Sequence, residues 1–366
     1  MDERDLARQL VAIPSHEDET EAGDYIERWL SEHTDAAVER EEYGVIARRG
    51  PEPAADSLAL VGHHDVVPPD ESQTRGEGTG GSYVVEERSG RLYGRGSADM
   101  KGALAAAMVA FRDATPDCEL VFASFVGEEQ GGVGARAAID GGFAPDYAVV
   151  GEGSTGYSAP GVTDVAIAHK GRRASTVTAE GVAAHASRPE EGTNAIYRAT
   201  DAVDAIRELP TPGTTVLGHE MQGSVVVTEI EGGSAWNVVP EQCSITVDER
   251  TVPGERVPLT ELTSRPGVSV QVDQDLEPMA CRDRAFAELV LAAAAEKQCD
   301  TPHHVVKPHA TDAGWLAAAG TACVVCGPAE PGEAHTADES VSLPVLERCY
   351  GIYRAVADRF ETLTVR

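Results

Sequence analysis

Two imidazoles and four carboxylates stand where apolar runs of this sequence end, and together they have the makings of a metal centre. Gly62-His63-His64-Asp65 closes the run that begins at Leu58. In extended backbone His63 and Asp65 share a face and His64 takes the other. An imidazole beside a carboxylate is the usual pairing of a metal ligand with its supporting acceptor. Gly127-Glu128-Glu129 closes a second run, Val149-Val150-Gly151-Glu152 a third, and Ala334-His335-Thr336 follows a fourth. Asp99 lies between a Gly/Arg-rich loop and a helical pattern, where its plain role is an N-cap. Taken singly, each residue also has a bland reading: a structural His–Asp pair, a solvated acid pair, a cap. Taken together, four uncompensated carboxylates converging on one place repel strongly. Two divalent cations resolve that repulsion. Mixed nitrogen and oxygen donors without a thiolate favour zinc, with cobalt or manganese as alternatives. Two histidines, a bridging aspartate and two terminal carboxylates complete a two-metal site, and one carboxylate remains as a general base.

The elements that would carry these residues alternate. Helix-spaced apolar residues fill 6–13 and 22–30, and uninterrupted apolar runs at 58–62, 119–126 and 146–151 suit strands buried on both faces of a parallel sheet. Residues 100–111 repeat at helical spacing between two of those runs. Ligands of such α/β sheets bind beyond the carboxyl ends of the strands, which is where the candidate residues fall. From about residue 172 the character changes. Residues 175–179, 223–230 and 243–247 alternate as two-faced strands, and 194–209 reads as a helix, which predicts a separate α+β unit. After about residue 278 the first pattern returns, with a helix at 285–297, a strand at 321–325 and an amphipathic helix at 343–360. The expected organisation is an α/β domain in two parts, residues 1–170 and 281–366, interrupted by an inserted domain at 171–280. Residues 76–82 form the one low-complexity stretch and read as a loop.

Composition excludes several classes. The net charge of −31 is the wrong sign for neutralising phosphates, and it argues against docking on anionic lipid. Only four lysines occur, Lys101, Lys170, Lys297 and Lys307. An acid-rich, lysine-poor chain of ordinary apolar content fits a halophile's cytoplasmic protein, because the Debye length falls to ~3 Å at 1 M salt. Seven scattered cysteines imply no disulfide framework, and Cys323-Val-Val-Cys326 lies in an apolar run that reads as buried strand. The charged N-terminus lacks a signal-peptide core, and no apolar run is long enough to span a bilayer.

The motifs also run in a recognisable order. Leu10-Val-Ala-Ile-Pro-Ser15, Gly62-His-His-Asp-Val-Val-Pro68, Tyr93-Gly-Arg-Gly-Ser-Ala-Asp-Met-Lys-Gly102, Gly127-Glu-Glu129 and Val150-Gly-Glu152 come first. Gly181-Val-Ala-Ala-His-Ala-Ser187, Gly192-Thr-Asn-Ala-Ile196, Asn237-Val-Val-Pro240, Asp248-Glu-Arg250 and Ala334-His-Thr336 follow. In this the chain resembles the M20 metallopeptidase family of acetylornithine deacetylases, succinyl-diaminopimelate desuccinylases, carboxypeptidase G2 and aminoacylase-like enzymes. The resemblance implies a zinc-peptidase-type α/β/α catalytic domain with an inserted α+β domain that serves as lid and homodimer contact. It implies that His63 and Glu152 hold one zinc, that Glu129 and His335 hold the other, and that Asp99 bridges them. Asp65 orients His63, and Glu128 is the general acid/base. In the inserted domain it implies that His185 supports the oxyanion, in its own site or a partner's, and that Asn237 and Arg250 hold the substrate carboxylate. Without it, His185 reads as structural and Arg250 as a surface ion-pair partner of Asp248 or Glu249. Thr311-Asp312-Ala313 also resembles a substrate loop, to which no role attaches. One departure is Gly153, where the family has proline, which predicts a looser loop after Glu152. The expected activity is a two-zinc amidohydrolase acting on N-acyl amino acids. An M20-type carboxypeptidase or dipeptidase acting on short peptides is the alternative, and a catalytically silent relative is a third reading.

Overall fold

The apolar runs become the centre of a nine-stranded sheet. In the computed structural model, which describes residues 1–51, 56–75 and 82–360, Glu119–Phe125, Ser57–His63, Tyr147–Val150 and Ala322–Val325 lie side by side in that order and parallel. All seven residues of Ser57–His63 are buried, as expected for a strand covered on both faces. Gly44–Arg49 and Ala37–Glu41 extend one side antiparallel, and Val165–His169 and Met279–Ala280 extend the other. His304–Lys307 pairs with Val165–His169. The parallel arrangement matters for function. It puts the carboxyl ends of four strands on one edge, so His63, Glu128–Glu129 and Glu152 leave the sheet together.

Helices cover this sheet. Gly102–Asp113 is buried at ten of its twelve positions, and the small side chains of Ala103, Ala105, Ala106, Ala107 and Ala110 let it pack closely. Gly62 and Gly151 lie close beneath it, where a Cβ on either would come within 2.8 Å of the Met100 methyl carbon and displace that side chain. Leu343–Arg359 and Glu3–Val11 pack against the same helix. Residues 76–81 of the expected low-complexity loop lie outside the described residues.

The chain divides into two units. The first comprises Met1–Ala168, Met279–Lys307 and Thr311–Arg366; the second comprises His169–Pro278 and Pro308–Ala310. The second unit is an antiparallel four-stranded sheet ordered Ser224–Gly232, Gln242–Thr251, Gly171–Glu180 and Val268–Leu276. Alternation in Gln242–Thr251 puts Cys243, Ile245 and Val247 on the inner face. Helix Ala195–Glu208 covers that face with Ala195, Ala199, Ala202 and Ile206, spaced as an amphipathic stripe requires. Asn194 of the Gly192-Thr-Asn motif caps the helix by accepting from the Ile196 and Tyr197 amides. Among the described residues no helix is long and apolar enough to cross a membrane.

Candidate metal centre

At the carboxyl edge of the large sheet, five sequence-predicted side chains form two overlapping groups: His63, Asp99 and Glu152, and then Asp99, Glu129 and His335. Asp99 belongs to both. Its Oδ1 lies 3.1 Å from His63 Nε2 and its Oδ2 3.0 Å from His335 Nε2. Glu152 Oε1 approaches His63 Nε2 at 3.3 Å, and Glu129 Oε1 approaches His335 Nε2 at 2.8 Å. His63 is buried, whereas the His335 side chain is 49% exposed, so the second group faces solvent.

Asp65 lies two residues beyond the end of its strand and turns back on it. Its Oδ1 is 3.2 Å from His63 Nδ1, and its two oxygens accept the amides of Glu128 at 3.1 Å and Glu129 at 3.0 Å. One buried carboxylate thus sets the imidazole and fixes the turn that presents both glutamates. The Glu128 carboxyl makes no hydrogen bond or ion pair with the described residues, which leaves it free to exchange a proton. Asp99 does not cap the following helix, whose N-cap is Lys101 without a side-chain bond. Its carboxylate is therefore available to the imidazoles. His64 faces inward, with Nδ1 2.7 Å from Ser124 Oγ. The Leu10–Ser15 motif supports the same loops: Ser15 Oγ donates to the His64 carbonyl at 2.6 Å, and the Ile13 carbonyl accepts from Lys101 Nζ at 2.6 Å. The loop after Glu152 is not loose. Gly153 packs so tightly on Ala329 that a Cβ would lie 2.8 Å from its carbonyl oxygen, and Ser154 Oγ donates to the Asp164 carbonyl at 2.6 Å.

Two participants carry no signal in local spacing. Lys307 is buried with Nζ 3.2 Å from Glu152 Oε2, so the two Glu152 oxygens face opposite partners. Asp312 is buried, and among the described residues neither of its oxygens has a hydrogen-bond partner. The resemblance of Thr311-Asp312-Ala313 to a substrate loop was the one available signal for Asp312. For Lys307 it was the scarcity of lysine.

The protonation pattern shows what the cluster needs. Burial works against a charged His63, but Asp65 first, then Asp99 and Glu152, outweigh it and raise its pKa well above the ordinary value. Hydrogen bonds to Asp99 and Glu129 raise His335 to about 10. Burial pushes Glu128 well above the carboxylate range, reinforced by Asp312, Glu152 and Asp99, and it pushes Asp312 up to about 7. Burial would raise Glu152, but Lys307 and His63 hold it below its ordinary value. Without a metal the cluster balances its charge with protons. Divalent cations supply the same positive charge to the same mixed imidazole and carboxylate donors, so the residues fit a pair of metal ions.

The remaining candidates lie in the second unit. His185 is exposed, with Nδ1 2.7 Å from Ser187 Oγ, on a short strand paired with Val238–Val239. Asn237 is its neighbour, and its carbonyl accepts the Ala186 amide at 2.9 Å. Arg250 is elsewhere: it pairs with Arg172 across the sheet, and its Nε donates to Asp248 at 2.8 Å. His185 and Asn237 adjoin the Glu180/Gln242 end of the strand pair, and Arg250 adjoins the Gly171/Thr251 end. Eight residues of strand separate Gln242 from Arg250, about 27 Å at ~3.4 Å per residue.

The chain is similar to known proteins over most of its length. The model of peptidase family M20/M25/M40 matches residues 59–359. An acetylornithine deacetylase of Myxococcus xanthus is 31% identical over 343 residues, covering 88% of this chain and 85% of that protein. A succinyl-diaminopimelate desuccinylase of Stenotrophomonas maltophilia is 27% identical, covering 83% and 84%. The fold matches the aminopeptidase PepT of Bacillus cereus with a TM-score of 0.79 at 20% identity over 98% of each chain. It also matches the Bacillus subtilis YXEP protein, described as a dinuclear metal-binding peptidase from the M20 family, with a TM-score of 0.69 at 17% identity over 98% of this chain and 97% of that one.

Proposed function

The chain belongs to peptidase family M20/M25/M40 and is a hydrolase of amide bonds, and from that premise we propose that it removes the acyl group from an N-acyl amino acid of the acetylornithine or succinyl-diaminopimelate type. The observation that carries this reading is the single carboxylate of Asp99 set between two imidazoles, each with its own glutamate. Support for a deacylase over a peptidase comes from the curated relatives, which match most of both chains.

His63, Asp99 and Glu152 would hold one divalent cation, and Asp99, Glu129 and His335 the other. When bound, such a pair lowers the pKa of a shared water and polarises the amide carbonyl, with zinc the expected metal and cobalt or manganese as alternatives. Asp65, 3.2 Å from His63 Nδ1, would leave Nε2 as the ring nitrogen that holds the cation, and it holds the turn that carries Glu128. Glu128, with no partner to release, takes a proton from the attacking water and returns it to the leaving amine. Its raised pKa suits a group that must hold that proton between the two steps. Arg250 and Asn237 would bind the substrate carboxylate, the arginine by its planar fork, and His185 would donate to the developing oxyanion. Because Arg250 and His185 adjoin opposite ends of one strand pair, a single small substrate cannot touch both from the same chain. We therefore assign Arg250 to one site of a homodimer and His185, with its neighbour Asn237, to the other, so that the substrate carboxylate would meet Arg250 of one chain and Asn237 of its partner.

The test is a substrate panel: N-acetylornithine, N-succinyl-diaminopimelate, other acetyl-amino acids and dipeptides, given to zinc-loaded protein. The reading predicts turnover of an N-acyl amino acid and loss of that turnover in Glu128→Gln with both metals retained. Turnover of dipeptides alone would replace it with the peptidase reading. An active Glu128→Gln would remove Glu128 from the mechanism. Mixing inactive His185→Ala with inactive Arg250→Ala should restore activity if the two residues serve different sites of one dimer, and no restoration would refute the shared arrangement.

A further inference from the structure

Two charged residues, Arg95 of the Tyr93–Gly102 motif and Glu339, three residues beyond the Ala334-His-Thr336 motif, carry no ligand role and nonetheless meet in the interior of the first unit. Their side chains are 4% and 1% exposed. One Glu339 oxygen accepts from Arg95 Nη1, and the other accepts two backbone amides, Ala98 at 3.0 Å and Asp99 at 3.2 Å. The Glu339 carbonyl accepts the Gly94 amide at 3.1 Å, so the glutamate holds both ends of the loop from Gly94 to Asp99. His335 lies four residues before Glu339, with its backbone at a positive φ of 61°. The segment that presents the second imidazole is therefore stapled to the loop that presents the shared carboxylate.

We propose that Glu339, held by Arg95, is a positioning residue that sets the Asp99 carboxylate between His63 and His335. The inference rests on the two-metal reading above. A buried ion pair by itself adds little net stability. This one gains its significance from where its second oxygen goes. Residues that support metal ligands typically contribute 10–100-fold to metal affinity.

The experiment titrates Co²⁺ into metal-free full-length protein and records visible absorption, stepwise affinity and the melting temperature of the metal-free form. Glu339→Ala is expected to weaken cobalt binding at least ~10-fold and to change the absorption bands. Glu339→Gln keeps an acceptor oxygen for the two amides but turns its NH₂ to the Arg95 guanidinium, and its bands and affinity are expected to fall between those of Glu339→Ala and the wild type. Arg95→Met, which leaves Glu339 unheld, is expected to weaken binding and is the decisive variant if Glu339→Ala does not fold. The proposal is overturned if Arg95→Met and every folded Glu339 variant keep wild-type bands and affinities while only the melting temperature falls. It is also overturned if Glu339→Gln is as impaired as Glu339→Ala. A wild-type chain that takes up no cobalt refutes the two-metal reading instead.

Discussion

Replacing Asp65 by asparagine separates its two duties. The carboxylate accepts the Glu128 amide on Oδ1 and the Glu129 amide on Oδ2, and Oδ1 also faces His63 Nδ1. An asparagine has one acceptor oxygen. Placed at the Oδ1 position it keeps Glu128 and His63, and its NH₂ then meets the Glu129 N–H, donor against donor. One buried amide is left unsatisfied, which costs ~1–3 kcal/mol. Alanine leaves both amides unsatisfied, roughly 2–6 kcal/mol, a large share of a total that is typically ~5–15 kcal/mol. The loss should fall unevenly on the two metal positions. Glu129, freed from its anchor, belongs to the group with Asp99 and His335, so that group should lose affinity by ~10–100-fold while the His63 group loses less. Urea unfolding of metal-free protein gives the first number, and stepwise zinc titration against a chelator gives the second. If Asp65→Asn stays within ~0.5 kcal/mol of wild type and binds both metals unchanged, the anchoring argument fails.

Lys307→Met strips the cation from a buried Glu152. Breaking such a pair costs ~3–5 kcal/mol, and the loss should appear in metal-free protein and shrink once zinc is bound; equal losses in both forms would contradict the pairing. The pH dependence has a definite sign. The folded pKa of His335 is raised to about 10, so its contribution to metal-free stability is full below its unfolded pKa near 6.5 and is lost as pH rises through about 10. Zinc must displace that proton, so binding should tighten with rising pH and release protons, measurable by calorimetry in buffers of different ionisation enthalpy; proton-free binding would refute the assignment. The net charge of −31 predicts a melting temperature that climbs between about 0.1 and 2 M KCl as self-repulsion is screened, and a flat response would remove the halophile reading.

The central parallel strands were legible because their signal is local: an unbroken apolar run closed by glycine, with acids immediately beyond. Three such runs sharing one direction bring His63, Glu128, Glu129 and Glu152 to one edge. His335 was legible only through its motif, since ten residues separate it from the end of its strand at Val325. The antiparallel edge strands Ala37–Glu41 and Gly44–Arg49 were not foreseen, because neither carries a long apolar run. Lys307 and Asp312 were not legible as members of the cluster. A buried charge announces itself through partners distant in sequence, here 155 residues away for Lys307 and Glu152. The return of 308–310 to the second unit is likewise a matter of tertiary contact. Gly153 was misread for the same reason, since the atom that confines it belongs to Ala329.

The burial of lysines has a practical consequence. Lys101 and Lys307 are enclosed, one lodged against the Ile13 carbonyl and the other against Glu152, while Lys297 is exposed and Lys170 is partly so. An amine-directed dye, crosslinker or resin therefore meets very few lysine handles on the folded chain. Coupling through amines should tether the enzyme in a narrow set of orientations and leave its chemistry untouched. The sudden appearance of adducts at Lys101 or Lys307 would report that the catalytic edge of the sheet has opened.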